Sequence, residues 1–530
     1  MKKILLSLVA VFAAMSISAD DAVWQKTFSP ISSADDLAGV HTAVAVDGSV
    51  YASSTTDQGF TFGTTTIERD NNAIYSCLVK YDKEGTEKWA VLVNGESTIT
   101  AMTTDADGNV YVGGTFKAAS LAFNNADGTS TVSVEGSADV TSGFVAKVSA
   151  EGVVQTAKSF TPQVDAEVGA AWNTLWDTPA YMEDDWYPMT VSPTKIVVEG
   201  DKVYVSALYR GDVPSLGWEG HYTGATYDMG MGYLAFYDIP AYGVFSLSKS
   251  DWGSTTSIAT VGSTDLIVEE KNYAPKAFTF VVNDGGVYVA FFGWGNLTLA
   301  KSATDKKDFT FAVSTDPSSD AHEYAFVLST IANLNYTITF NNDPYELGWD
   351  EIFNLYSDVI DGKAVIGGTF QGIFPLDKNV VSNKNMSFVA LANLASSTVT
   401  TWTNQEETEG DDVTSVARAL IVTGEETHLS TEKAVYHFKT ANLANAGEPE
   451  EFGVLDADQK NDQYVGMVST DEAMVVVMGR ELEPTAVEAV KAATVAGGAK
   501  FYGIDGVELS APQKGLNIVK TADGVIKIAK

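Results

Sequence analysis

Aromatic side chains crowd one irregular stretch of the sequence, residues 162–245, and acidic side chains stand among them. Aromatic platforms beside carboxylate acceptors can bind a sugar or a peptide. We therefore predict a ligand-binding site there, with the candidate residues Trp172, Trp176, Tyr181, Trp186, Trp218 and Tyr222. The alternative is that these rings pack the stretch onto the rest of the protein.

The same stretch contains carboxylates that are candidates for catalysis. Glu183, Asp184 and Asp185 stand beside Trp186, and Asp238 follows later. Hydrolysis of a glycosidic bond uses two carboxyl groups roughly 5–10 Å apart. A polysaccharide-active enzyme is therefore the alternative to a non-catalytic binding protein, and the separation of two such carboxylates in one cleft decides between them.

Other catalytic and metal sites find little support. The five histidines are scattered without the short spacing of a zinc site, and the sequence has neither a G-x-S-x-G elbow nor a P-loop lysine. The net charge of −36, from 69 acidic and 33 basic residues, repels nucleic-acid phosphates and anionic membrane surfaces. We expect no catalytic residue, no metal, no cofactor and no nucleic-acid partner.

Two short motifs have plainer structural interpretations. The turn from Asp105 to Asn109 offers oxygen atoms at alternating positions, as a calcium loop does, but lacks the downstream bidentate glutamate, so a hairpin turn is favoured. Arg210-Gly211-Asp212 spells an adhesion tripeptide, but matches of three residues are frequent by chance. We predict no adhesive role for it.

A strand–turn–strand unit recurs along the chain and must position these residues. Its best copy is Val110-Tyr111-Val112-Gly113-Gly114-Thr115-Phe116 after an Asp-x-x-Gly-Asn turn, and related copies begin at Asp47, Gly200, Asp284 and Asp361. Each copy follows an alternating apolar run, which predicts a strand, an Asp-Gly turn and a second strand. Third strands are predicted at 77–80 and 144–147, a fourth at 87–91, and degenerate copies at 413–438 and 464–479.

Four-stranded units that repeat every 40 residues or more are typical of propeller blades, which bury both faces only by stacking on neighbours. We therefore predict an all-β fold, a β-propeller of six or seven blades with seven favoured, over residues 20–484. The insertion at 162–245 lies within it.

The repeats resemble a bacterial β-propeller repeat with the pattern D-x-x-G-N-V-Y-V-x-G-x-T, then F-V-A-K-Y-D, then G-x-x-x-W. Residues 105–116 match its first part, and residues 77–89 and 144–152 match its second part. The resemblance implies that the first strand of the chain completes the last blade. Residues 22–28 are therefore expected to close the ring with the region 464–482.

The two ends of the chain differ from the repeats. Lys2 and Lys3 precede a short apolar run and small residues, which predicts a signal peptide over 1–19. Residues 485–498 are predicted as a linker. Residues 499–530 form a small β module that resembles the C-terminal sorting domains of type IX secretion substrates; the alternative is an appendage without a sorting role. We expect an exported protein, extracellular or on the outer cell surface, without an integral membrane span.

These features predict a non-catalytic binding scaffold for an extracellular protein or glycan. A polysaccharide-active enzyme and a structural envelope component are the alternatives. The single cysteine, Cys77, lies in an apolar stretch and is predicted to be a buried structural thiol.

Overall fold

The computed structural model describes residues 24–28, 38–68, 74–163, 189–226, 234–263, 275–293, 295–310, 321–322, 325–332, 334, 337–341, 345–346, 353–374, 376, 380–396, 398–404, 415–446, 449, 456–460, 463–469, 475–481, 500–503, 508–509, 516–520 and 525–529. Every regular element of these residues is a β-strand, which confirms the all-β prediction.

The first strands are short alternating apolar segments that end at Asp-Gly turns. They are β1 (Trp24–Phe28), β2 (His41–Val44), β3 (Val50–Thr56), β4 (Phe60–Phe62), β5 (Thr65–Ile67), β6 (Tyr75–Tyr81), β7 (Glu87–Thr104), β8 (Val110–Phe116), β9 (Ser120–Asn124), β10 (Ser130–Glu135), β11 (Ser142–Val148) and β12 (Val154–Phe160). Two antiparallel units, β2-β3-β6-β7 and β7-β8-β11-β12, share the long strand β7.

The middle of the chain repeats the pattern with longer connections. Its strands are β13 (Thr190–Glu199), β14 (Lys202–Arg210), β15 (His221–Thr226), β16 (Leu234–Ile239), β17 (Ala241–Ser248), β18 (Thr255–Ser263), β19 (Pro275–Asn283), β20 (Gly286–Gly293), β21 (Asn296–Ala300), β22 (Lys306–Thr310), β23 (Ala321–His322), β24 (Ala325–Thr330), β25 (Thr337–Asn341) and β26 (Tyr345–Glu346). The four-stranded units are β13-β14-β17-β18 and β19-β20-β24-β25.

The last part contains three further units and a separate sheet. Its strands are β27 (Asn354–Ile360), β28 (Lys363–Ile373), β29 (Val381–Asn393), β30 (Val399–Thr403), β31 (Ala417–Val422), β32 (Glu426–Thr431), β33 (Val435–Lys439), β34 (Ala444–Asn445), β35 (Asp456–Lys460), β36 (Gln463–Ser469), β37 (Val475–Glu481), β38 (Lys500–Gly503), β39 (Glu508–Leu509), β40 (Leu516–Lys520) and β41 (Val525–Ala529). The units are β27-β28-β29-β30, β31-β32-β33-β34 and β35-β36-β37-β1, and the separate sheet has the order β39-β38-β40-β41.

The described residues thus contain seven four-stranded units, numbered here as blades 1 to 7 in chain order. Their innermost strands β2, β7, β13, β19, β27, β31 and β35 contact one another in that order, and β35 contacts β2 again. The fold is a β-propeller. As expected from the sequence, β1 is the outer strand of blade 7, since Trp24 to Phe28 pair with Gly479 to Val475 of β37.

The hydrophobic core consists of layers between neighbouring blades. One layer joins Val44 and Cys77 of blade 1 to Val465 and Met467 of blade 7, and the others repeat this arrangement around the ring. Cys77 is buried in this layer, which agrees with the predicted structural thiol. Blades 1 to 5 therefore bury apolar residues against both of their neighbours.

The two ends of the ring differ in their connections. At the end that we call the turn face, inner strands enter second strands through tight Asp-Gly turns; Asp284-Gly285 and Asp361-Gly362 both have positive φ at both residues, as type I′ turns require. At the opposite end, the loop face, the connections are longer. The strand 2–3 connections of blades 1 to 4 contain the hairpins β4–β5, β9–β10, β15–β16 and β21–β22.

A tryptophan–glycine contact between blades explains part of the sequence repeat. Gly85 has φ +77°, and a Cβ atom there would lie 2.5 Å from the Trp24 ring. The Trp24 indole N–H donates to Lys83 O at 3.0 Å. Trp89 repeats the contact on Gly152 of the next blade. The spacing G-x-x-x-W therefore encodes a joint between successive blades.

This joint is testable with a matched pair of glycines. Gly128 has φ +81° but has no atom within 4 Å of its Cβ position. We expect Gly85→Ala to lower the free energy of unfolding by about 2 kcal/mol more than Gly128→Ala, because only Gly85 faces a packed ring. Urea denaturation of both variants checks this. Equal losses would show that only the backbone conformation matters at Gly85.

Candidate functional site

Most of the predicted aromatic site lies in residues that the structure does not describe. Trp172, Trp176, Tyr181 and Trp186 are in this group, as are Glu183, Asp184 and Asp185. Tyr222 and Asp238 are directly opposed in the pairing of β15 with β16, and their side chains are outside the description too. The binding role of these residues stays a prediction.

The base of the aromatic insertion is described, and its two ends meet at Gly211. The backbone groups of Gln163 and Asp212 exchange two hydrogen bonds of 2.8 Å. Gly211 has φ +83°, and a Cβ atom there would lie 2.9 Å from Gln163 O and 3.1 Å from Met189 Sδ. The segment 164–188 therefore leaves and rejoins the ring beside the connection that carries β15 and β16. We call this place the insertion junction.

The hairpin at the junction differs from its counterparts in blades 2 and 4, and resembles β4–β5 of blade 1, which also pairs only with itself among the described strands. Strand β9 adds to β7 through Val93 and Asn94, and β21 adds to β18, so these hairpins cover outer strand edges. In the described part of the chain, β15 and β16 pair only with each other. The aromatic stretch therefore joins two insertions that leave the loop face at one point.

Trp218 is a core residue, which corrects its assignment to the ligand site. It is 2% exposed, and its ring lies 4.8 Å from the Tyr209 ring and 5.8 Å from the Phe245 ring. Its indole N–H donates to Ser257 Oγ at 2.9 Å. Here the packing alternative was right, because neighbouring rings cover the indole and anchor the insertion to blade 3.

The tripeptide Arg210-Gly211-Asp212 also has a structural role. Gly211 is buried, and Asp212 Oδ1 accepts the Gly220 N–H at 2.6 Å. Asp212 is held further by its backbone pairing with Gln163. The tripeptide is therefore part of the insertion junction.

The Asp105 turn is closed by local donors and by Lys249 of the neighbouring blade, whose Nζ lies 3.3 Å from Asp105 Oδ2. The Asp105 carboxylate accepts the backbone N–H groups of Asp107 and Asn109, the Asn109 amide and the Tyr111 hydroxyl at 2.9–3.1 Å. Hydrogen bonds from these donors hold the pKa of Asp105 below its usual value against the effect of burial. This geometry agrees with a hairpin turn.

A second candidate region is the axis of the ring, where the inner strands expose unpaired backbone edges. Lys195 of β13 donates from Nζ to Phe280 O of β19 at 2.8 Å and to Ser357 Oγ of β27 at 2.9 Å, with a further bond to Ser357 O. Burial lowers the Lys195 pKa to about 8, and Asp358 opposes this effect. Lys195 thus ties together the inner edges of three blades.

Carboxylates make the corresponding side-chain contacts between the inner strands of blades 7 and 1, where the ring closes. Asp456 and Asp458 of β35 accept the backbone N–H groups of Thr42 and Val44 of β2 at 2.8 and 2.7 Å. His41 Nδ1 lies 3.7 Å from Asp456 Oδ2. The Asp458 pKa is raised to about 6, because burial and the charge of Asp456 together outweigh the lowering effect of the N–H donors and Lys460.

Sequence spacing missed one pair of histidines. His428 and His437 are nine residues apart but directly opposed on β32 and β33, and their Nδ1 atoms are 2.7 Å apart. The hairpin turn between these strands sets the register that brings them together. Among the described residues, no group of three or more His, Cys, Asp and Glu side chains is arranged to hold a metal ion.

No family model matches the chain, and the search of curated proteins found no match. The similar solved structures include Chaetomium thermophilum Sqt1 bound to the N-terminus of ribosomal protein L10, with a TM-score of 0.37 and 10% identity over 86% of this chain and 98% of that one. Another is the β-propeller domain of Myceliophteria thermophila Cps50 (Swd1), with a TM-score of 0.34 and 8% identity over 86% and 99%.

At these values the likenesses carry no argument about ligand or activity. The propeller architecture rests on the sheets and on the ring of inner strands. In the part of the chain that the structure describes, no helix has the length and apolar character needed to cross a membrane.

The raised pKa of Asp458 predicts a pH-dependent effect of its replacement. Protonation of Asp458 favours the folded state, so its stabilising effect is complete below the usual value of 3.8 and is lost as the pH rises through about 6. We expect the free energy of unfolding of Asp458→Asn, relative to that of wild type, to rise by about 2 kcal/mol from pH 4 to pH 8. Urea denaturation across this range measures the gain.

The exposed Asp107 is the control position, since its side chain is 76% exposed on the turn face. Asp107→Asn should change the free energy of unfolding little, as substitutions of exposed side chains usually do. A gain for Asp458→Asn that is the same at pH 4 and pH 8 would contradict the assignment.

Proposed function

We propose that this protein is a non-catalytic binding scaffold that takes a protein or glycan on its loop face, at the insertion junction. The observation that carries the proposal is the meeting of two insertions at Gly211, where Gln163, Met189 and Asp212 converge. Long connections on a rigid scaffold are where binding residues are commonly found. The aromatic residues of these insertions would supply the contact surface.

The proposal is also supported by the many contacts that hold neighbouring blades together. The blades are joined by buried apolar layers, and the inner edges of blades 3, 4 and 5 are tied by Lys195. A rigid base holds two insertions at fixed positions and lowers the entropy cost of binding. The enzyme alternative depends on Glu183, Asp184, Asp185 and Asp238, whose side chains lie outside the described part of the structure.

The binding role is testable by removing each insertion at its closed base. One variant replaces residues 165–187 with a short Gly-Ser linker, which is geometrically allowed because Gln163 and Met189 both lie beside Gly211. The other joins the register partners His221 and Ile239 by an Asn-Gly turn. We expect each to weaken binding at least tenfold. The probes are a glycan array and cross-linking capture from a cell-surface fraction, both with the purified chain lacking residues 1–19.

The matched control alters the opposite end of the ring. Asp107→Lys with Asp201→Lys changes the charge of the turn face and should leave binding unchanged. Circular dichroism and thermal melting establish that each variant is folded. Folded excision variants that bind as wild type does would refute the proposal, and release of new reducing ends from array glycans would favour the enzyme.

We further propose that the protein is exported and that residues 499–530 direct it to the cell surface. The proposal is supported by the resemblance of this segment to sorting domains and by the separate four-stranded sheet β39-β38-β40-β41. This sheet pairs with no blade among the described strands. An export system would therefore recognise this sheet without contacting the blades.

Deletion of residues 499–530 tests the sorting role in the producing organism. We expect the shortened protein to be lost from the cell surface while its ring stays folded. Surface proteolysis and fractionation measure its location. Normal surface display of the shortened protein would show that the segment is an appendage without a sorting role.

A further inference from the structure

Two imidazole rings meet inside blade 6, away from the insertion junction. His428 of β32 is 4% exposed, and His437 of β33 is half-buried. Their ring planes are at 84° with centroids 4.9 Å apart, and the Nδ1 atoms are 2.7 Å apart. Because the two residues are directly opposed across the strand pair, the backbone fixes this meeting of nitrogen atoms.

At this distance one Nδ1 holds a proton and the other accepts it, since two protonated rings would repel each other. One N–H and one nitrogen lone pair therefore converge on one small volume, and a shift of that proton to Nε2 of the same ring turns both Nδ1 lone pairs inwards. We propose that His428 and His437 form a binding site for monovalent copper, which would replace the shared proton between the two Nδ1 atoms. The proton moves to Nε2 of the same ring, so both rings stay neutral and no oxidation or reduction occurs.

The chemistry of the pair favours monovalent copper over zinc. Imidazole suits copper, and Cu(I), which has a closed d¹⁰ shell, is satisfied by two nitrogen ligands in line. Zinc requires four ligands, or three and a water, and carries twice the charge into a buried site. With metal–nitrogen bonds of about 2 Å, the Nδ1 atoms must separate to roughly 4 Å, which a rotation of the imidazole side chains would supply.

The two faces of the blade 6 sheet differ at the histidine pair. Leu429, Tyr436 and Phe438 pack in the apolar layer towards blade 5. Ser430, two residues from His428 on the same face of the strand, is fully buried, and its Oγ has no hydrogen-bond partner among the described groups. A buried hydroxyl on the same face of the strand as His428 is a further polar group on the side of the sheet where the two nitrogens meet. The net charge of −36 attracts cations to the protein.

The test measures Cu(I) binding in a Cys77→Ser background, because the only thiol would otherwise compete. Under anaerobic conditions with ascorbate, competition with bicinchoninate should show one tightly bound equivalent. His428→Gln and His437→Gln should each weaken that equivalent at least 100-fold. His41→Gln is the matched control, because His41 lies on β2 beside Asp456 and should leave the binding unchanged.

X-ray absorption of the loaded protein keeps the proposal testable if one histidine variant fails to fold. Two nitrogen ligands and no sulfur are expected at the copper ion. Sulfur ligands, an equivalent that survives both histidine variants, or the absence of binding in the Cys77→Ser protein would each overturn the proposal. Binding of Zn²⁺ without Cu(I) would overturn the choice of metal.

Discussion

The structure depends on burial of both faces of every blade. A four-stranded sheet with two apolar faces is stable in water only between two neighbours, so the series has to close into a ring. The chain closes it by placing β1, from its N-terminal end, beside β37 near the other end. Trp24 then fits over Gly85 of blade 1, so one strand completes blade 7 and also joins it to the next blade.

Ring closure creates a second constraint, because the inner strands turn unpaired backbone groups towards the axis. Unpaired buried N–H and C=O groups cost free energy, and side chains of neighbouring blades satisfy several of them. Lys195 supplies donors to carbonyl groups, whereas Asp456 and Asp458 supply acceptors to N–H groups. The charged groups near the axis are therefore explained by backbone pairing, and the raised pKa of Asp458 is a consequence of this position.

Local sequence predicted the blades well because their determinants are local. Asp-Gly turns, alternating apolar residues and the G-x-x-x-W spacing each act within a few residues, and they led to the strand pairs. The closing role of 22–28 was instead implied by the resemblance of the repeats to a known propeller repeat. Contacts between distant residues were not predictable in this way. The neighbours that bury Trp218 come from β14 and β17, and the contact of His428 with His437 depends on the register of one hairpin. Spacing rules for metal sites assume helices or short loops, so they miss ligands that are opposed across strands.

The need to bury blade faces and to pair inner backbone edges distinguishes the repeat residues from the residues of the insertions. Residues of the repeats are committed to turns, to layers between blades or to the inner edges, as Asp105 and Trp89 illustrate. An insertion avoids these constraints only if the two chain segments at its base pack against the ring without disturbing the blades. Gly211 makes this packing possible. Its positive φ and lack of a side chain let Gln163 and Met189 pass close together, so the chain leaves and rejoins the ring at one place. The described packing at this base involves Gln163, Met189 and Gly211, so it sets no requirement on the sequence between Gln163 and Met189.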